Sequence, residues 1–272
     1  MPTWIGVTFG YVLYLAALAW LLPRFARARA AASVTALLAG ALWWSWRALV
    51  TLSDLAAPVV WVVVPSLALL GSYRVSGLFF VRASLPLEQR LLAWDAVLLH
   101  RSGVLRAYYA SRPIVRELFE LFYLLVYATV PLGATVLLIG GQQDHALASY
   151  WTLVFTAELA CYAALPWLQT RPPRAIEPAP AVASGPLQRL NRQLLKHGSI
   201  QVNTLPSAHA AGAVAVALGV YIAMPLAGLI FLVVAAGITL ATMLGRYHYA
   251  IDSILGVAVA LATWMVLGPT GH

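Results

Sequence analysis

The chain has 272 residues, 62% hydrophobic and 10% charged, with a mean hydropathy of +0.83. A soluble domain carries about 25% charged residues, so the composition excludes an ordinary soluble domain, and the apolar excess excludes disorder. All of the 17 basic residues except Lys196 are arginine, and against 9 acidic residues they leave a net charge of +8. That balance suits phosphate or anionic headgroups, not nucleic acid, for which the chain lacks a soluble surface.

A spanning helix needs about 20 mostly apolar residues. Eight segments qualify, at about 4–23, 33–52, 56–72, 118–140, 148–168, 207–224, 226–244 and 249–268. The third is short and can extend to Phe80. The first lacks a basic start and a small-residue cleavage site ahead of Arg24, Arg27 and Arg29, so it reads as a retained span and not a signal peptide. Between spans three and four, Leu85–Tyr109 places Leu87, Leu91, Leu92, Trp94, Leu98 and Leu99 at helical spacings, punctuated by Arg90, Arg101 and Arg106. An amphipathic helix in the headgroup layer fits that pattern. A shorter one is expected where Leu187, Leu190, Leu194 and Leu195 alternate with Arg189, Arg192 and Lys196. No fixed-period repeat is present. The fold class is an all-α integral membrane protein.

Threading eight spans puts 24–32, 73–117, 171–206 and 245–248 on one side, with every basic residue except Arg47. Arg47, near the end of span two, can snorkel to the other side. The loops near Asp54, Asp144 and Pro225 and both termini fall opposite. The positive-inside rule assigns the basic side to the cytoplasm, in a plasma or inner membrane.

Three motifs share the basic side: Arg171-Pro172-Pro173-Arg174, Asn203-Thr204-Leu205-Pro206-Ser207-Ala208-His209, and Gly245-Arg246-Tyr247-His248-Tyr249-Ala250-Ile251-Asp252. Spans six and seven form a hairpin whose open ends return to one face, so His209 and His248 can meet. Pro206 suits a first helical turn and Ser207 a cap, and free amides at a helix start attract anions. His209 there could donate a proton. His248 and Asp252, four apart, would share a helix face. The carboxylate would then fix the imidazole tautomer and free the other nitrogen to attack, an arrangement with triad logic.

Pro206-Ser207-Ala208-His209 followed by His248-x-x-x-Asp252 resembles the type 2 phosphatidic acid phosphatase superfamily, and within it the branch of inositol phosphorylceramide synthases, where Ser-x-His and His-Tyr-x-x-Asp recur. The likeness covers about 56–268. It implies a six-helix catalytic domain over 56–272, with two additional N-terminal helices in 1–55. It also implies that His248 forms a phosphohistidine, Asp252 orients it, His209 protonates the leaving alcohol, and Ser207 and nearby amides hold phosphate oxygens. No metal or other cofactor is implied. The chain departs from the family at two basic positions: Ala164 stands where the first motif usually has Lys, and Thr242 where the third has Arg. Arg171, Arg174 and Arg246 are the candidate phosphate-binding replacements. Asn203, Tyr247 and Tyr249 are candidates to shape the substrate pocket.

The resulting expectation is a lipid phosphate phosphatase whose partner is a lipid phosphate in the bilayer. One alternative is a phosphotransferase, in which a second alcohol takes the phosphoryl group or headgroup. The other is a transporter or flippase without chemistry, supported by the eight spans and by Glu158 in mid-span, although no paired broken helices of the usual kind are seen. Glu158 must face the bundle interior. Glu117 and Glu120 could pair with Arg112 or Arg116, and Asp95 could approach the site. His100, His145, His197 and His272 read as surface residues, and the lone Cys161 as a small buried hydrophobe.

Overall fold

The computed structural model describes residues 2–50, 59–142, 144–177 and 185–268. Asp54, His272 and the side chain of Arg47 lie outside the described residues. The helices are α1 (Thr3–Leu21), α2 (Arg29–Val50), α3 (Val64–Gly77), α4 (Leu85–Asp95), α5 (Val104–Ala110), α6 (Pro113–Ile139), α7 (Asp144–Ala164), α8 (Pro186–Gly198), α9 (Ala208–Ala223), α10 (Pro225–Leu244) and α11 (Ala250–Leu267). Prolines open α4, α6, α8 and α10 near their first position, where the missing N–H has no helical partner to lose. Among the described residues the only extended pairing is one antiparallel bridge, Thr170 to Asn203.

Among the described residues, six helices are long and apolar enough to cross a membrane: Thr3–Leu21, Pro23–Trp46, Val59–Gly77, Pro113–Ile139, Pro225–Leu244 and Ala250–Leu267. The other two expected spans are α7, which carries Asp144 and Glu158, and α9, an apolar helix of 16 residues. These two form the centre. α9 packs against α6, α7, α10 and α11, and its Ala- and Gly-rich sequence lets backbones approach closely, as small residues do between membrane helices. At Gly256 of α11, an added Cβ would lie 2.3 Å from the Ser207 carbonyl oxygen, so glycine there permits the crossing of α11 over the start of α9. The N-terminal helices join this bundle through α1, which packs on α2 and α7. Tyr14 donates to the Ala163 carbonyl at 2.9 Å, and Trp4 stacks against Phe155.

The third span extends past residue 72, to Gly77, and stops short of Phe80. One element departs from expectation. The amphipathic stretch is not one helix: a π turn follows α4, and Gly103, at φ 78°, breaks the chain before α5. Only glycine adopts that left-handed conformation without strain. α8 forms as expected, with Leu195 and Asn191 buried and its arginines outward. His100, His145 and His197 are exposed, and Cys161 is buried.

Candidate active site

The basic segments gather at one end of the bundle. Arg27 donates to the Leu78 and Phe80 carbonyls, and Gln169 accepts from the Val81 and Arg82 amides at 2.7 and 2.9 Å. Backbone hydrogen bonds tie the three motif segments together, the first through Thr170 just before Arg171. Asn203 N donates to Thr170 O at 3.0 Å, Ser207 N to Asp252 O at 2.9 Å, and Arg174 N to Arg246 O at 3.1 Å.

The second motif enters α9 through a cis Leu205–Pro206 bond. Because α9 begins at Ala208, Pro206 precedes the cap instead of sitting in the first helical turn. Ser207 is the N-cap, its Oγ accepting from Ala210 N at 3.4 Å, which places His209 in the first turn of α9. In the third motif α10 ends at Leu244, and the Tyr247 and His248 amides both donate to the Thr242 carbonyl at 2.9 Å. Thr242, at the position where the resemblance would have arginine, shares a 2.9 Å hydrogen bond with Ser253. Tyr249 is the N-cap of α11, and Asp252 reaches back to its amide at 3.1 Å. His248 therefore lies in the loop and not on a shared helix face with Asp252, because the chain is extended at Tyr249. The pair still meets, with His248 Nδ1 3.7 Å from Asp252 Oδ2.

Asp252 is fully buried and also accepts from Asn203 Nδ2 at 2.7 Å. Asn203 thus braces Asp252 and ties it to Thr170, whose Oγ1 it reaches at 3.0 Å. The His209 and His248 rings stand edge to face with centroids 5.5 Å apart. Tyr123 stacks on Tyr247 at 3.6 Å and meets His209 edge-on. The Tyr247 hydroxyl donates to Glu120 at 2.6 Å, and Glu120 also accepts from Asn191 of α8. Burial, with the Arg174 charge adding, pushes the His248 imidazole down to about 3. Its ring is thus neutral at neutral pH, the state a nucleophile needs.

The three candidate arginines differ. Arg171 clasps Glu88 of α4 through Nε at 3.0 Å and Nη2 at 2.8 Å, while its amide donates to the same carboxylate. That clasp holds the Glu88 carboxyl below its usual range. Arg246, at φ 58°, pairs with Asp95 of α4 and with Glu177. Both guanidiniums are therefore neutralised by carboxylates. Arg174 stacks on Tyr247 at 4.9 Å, and its buried Nη1 has no hydrogen-bond partner among the described residues.

A small polar chamber is lined by Arg174, Thr204, His209, Tyr247 and His248, with Tyr73, Tyr123 and Tyr162. Of the residues singled out in the sequence, Arg174, Tyr247 and the two histidines face it. Ser207, Asn203, Asp252, Tyr249, Arg171 and Arg246 brace its walls; Tyr249, for example, is buried and donates its hydroxyl to the Arg171 carbonyl at 3.1 Å. Glu117 and Glu120 do not pair with Arg112 or Arg116. Glu117 accepts from the Leu187 amide at the start of α8, and Glu120 serves Asn191 and Tyr247.

Sequence reasoning missed Glu88 and left Asp95 undecided. Their signal was two carboxylates seven positions apart in an arginine-rich amphipathic stretch. Among the described residues no three His, Cys, Asp or Glu side chains gather as metal ligands would.

Comparison with curated proteins and with solved structures finds no match. The family model of the PAP2 superfamily matches residues 89–266, a range that runs from α4 through all three motifs into α11. With its helical bundle and its histidine motifs at one end, the chain belongs to the PAP2 superfamily.

Proposed function

We propose that the protein is a membrane-embedded lipid phosphate phosphatase working through a phosphohistidine. Superfamily membership supports a phosphoester-cleaving enzyme. The observation that carries the finer reading is the meeting of His248, His209 and the unpartnered Nη1 of Arg174 in one chamber. A buried polar atom without a partner costs about 1–3 kcal/mol, a cost that a phosphate oxygen at Arg174 removes.

The neutral His248 ring attacks phosphorus, and the bond to the lipid alkoxide breaks as His209, having taken up the proton that the phosphate monoester monoanion brings in, hands that oxygen a proton. Asp252 stabilises the positive charge left on the His248 ring. Its 3.7 Å separation from Nδ1 is of the kind that tightens when substrate binds. Water then attacks phosphorus in line, giving its proton to His209, and the P–N bond breaks to restore His248. Little bond-making falls to the protein beyond this, so positioning and charge carry most of the rate.

A second reading is favoured by one observation. The cavity that reaches His209 is mainly apolar, with Leu67, Leu69 and Val130 in its walls. A lipid alcohol delivered there in place of water would make the enzyme a phosphotransferase, as in the inositol phosphorylceramide synthase branch that the motifs resemble.

Phosphate release by detergent-purified protein from phosphatidic acid, a polyprenyl phosphate and a sphingoid phosphate, beside His248→Ala, tests this reading. Release that the variant loses supports the hydrolase. Headgroup movement to an added lipid alcohol, without release, supports the transferase. Neither would return the transporter reading.

We further read the site as cytoplasmic from the arginine distribution. A cysteine placed at Gly198 in a background lacking Cys161 should resist an impermeant label in intact cells, and labelling from outside would reverse the orientation.

A further inference from the structure

Glu158 is the one polar demand in the middle of α7 that the chemistry above does not use. Its side chain borders a cavity of about 550 Å³ formed by α3, α6, α7 and α9, with α8 at one end. Leu67 and Leu70 at its rim are exposed, so the cavity faces the outside of the bundle. It adjoins the polar chamber, and Tyr73, Tyr162 and His209 line both.

Within this cavity the carboxylate is half satisfied. Oε2 accepts from the Tyr162 hydroxyl at 2.7 Å. Oε1 has no hydrogen-bond partner among the described residues and lies against Gly212, where an added Cβ would come within 2.1 Å of it. Gly212 is three residues from His209 along α9, so the carboxylate sits about 4.5 Å of helix rise further into the bundle than the histidine. An unmet acceptor beside an apolar cavity is costly. A mainly apolar pocket with one placed polar group is also how ligand orientation is commonly read.

We propose that Oε1 of Glu158, held by Tyr162, accepts a hydrogen bond from a hydroxyl or amide N–H on the carbons nearest the phosphoester of the bound lipid. The protein then selects lipid phosphates that carry such a donor over those with only ester oxygens or hydrocarbon there. This inference rests on the lipid phosphate reading of the site. It follows from the order of groups along the wall: phosphate at Arg174 and His248, leaving oxygen at His209, backbone donor at Glu158, chain in the cavity. The donor group keeps its proton, and no bond is made or broken at this position.

The test compares a monoacylglycerol phosphate, which has a free hydroxyl on its second carbon, with the same lipid methylated at that oxygen. The wild-type protein should favour the hydroxyl form by up to about tenfold in kcat/KM, the worth of one hydrogen bond. Glu158→Gln, which keeps a neutral acceptor, should retain part of that ratio, and Glu158→Leu should bring it near one.

Thermal stabilisation of the His248→Ala protein by each lipid, with and without the Glu158 changes, reads the same discrimination without turnover. If nothing is hydrolysed but the stabilisation discriminates through Glu158, the hydrolase reading falls and this inference stands. Equal use of the two lipids by the wild type, or an unchanged ratio in Glu158→Leu and Glu158→Gln, overturns it.

Discussion

Asp95 of α4 and Arg246 of the loop before His248 form a buried ion pair, and the second oxygen of the same carboxylate accepts from the Ala250 amide at 2.8 Å. Burial pushes the Asp95 carboxyl up, against the pull of Ala250 and Arg246. Seven residues earlier on α4, Glu88 holds Arg171. One helix thus grips both the first and the third motif, and through Arg246 and Ala250 it holds the loop that carries His248.

Removing one partner of a buried pair costs about 3–5 kcal/mol when the other charge is left alone. Arg246 keeps Glu177, so Asp95→Ala should cost toward the lower end, about 3 kcal/mol. It should also lower kcat more than it raises KM, because the loop that carries His248 loses its anchor. Thermal unfolding in detergent together with steady-state kinetics on one lipid phosphate checks both. Wild-type stability and kcat in the variant would show that α4 does not hold the loop.

The arginines should separate by phenotype. Arg174→Ala should weaken inhibition by inorganic phosphate by about tenfold to a hundredfold, the worth of one charge-assisted contact. Arg171→Ala and Arg246→Ala, whose guanidiniums are held by Glu88, Asp95 and Glu177, should lower stability with far less effect on that inhibition constant. Inhibition assays on the three proteins decide the matter, and a large shift for Arg246→Ala would put that residue in the phosphate site after all.

Hydropathy alone located the eight apolar segments, because a run of apolar residues long enough to cross the bilayer has few other uses. The meeting of His209 with His248 was also legible, since a helical hairpin must return its ends to one face. The partners of the arginines were not. Which carboxylate a guanidinium meets depends on how α4 lies across the bundle end, and periodicity says only that α4 is amphipathic. The position of His248 off the helix was hidden too, because the extended turn at Tyr249 follows from its role as N-cap and from the reach of Asp252 back to its amide. The same local bond explains why a spacing of four still delivers contact without a shared helix.

His248 sets a pH dependence of stability. In the unfolded chain its pKa is near 6.5, and in the folded chain it is pushed down to about 3. Between those values the unfolded state binds a proton that the folded state does not, so this group makes stability rise with pH through that window and level off above it. The slope it contributes approaches about 1.4 kcal/mol per pH unit. Melting temperatures from pH 5 to pH 8 should fall toward acid in the wild type and fall less steeply in His248→Asn. Parallel curves would mean that the imidazole is not buried and neutral.

Gly212→Ala should displace Glu158, since the added methyl would stand 2.1 Å from Oε1 and 2.8 Å from Cδ. The carboxylate must swing into the cavity or α7 must shift from α9, at a cost of about 1–3 kcal/mol typical of overpacking. Ser at Gly212 should behave alike. Differential scanning of the purified proteins reads the loss, and a variant as stable as the wild type would show that the two helices are less closely packed here.

The most direct measurement is rapid quenching of the purified enzyme with a lipid phosphate labelled in its phosphoryl group, followed by mapping of the label on the protein. Transient, acid-labile, base-stable label on His248, absent from His248→Gln and prolonged in His209→Gln, is the outcome expected if His248 attacks phosphorus and His209 activates the water that follows. Normal turnover in His248→Gln, or label that maps to another residue, would contradict it.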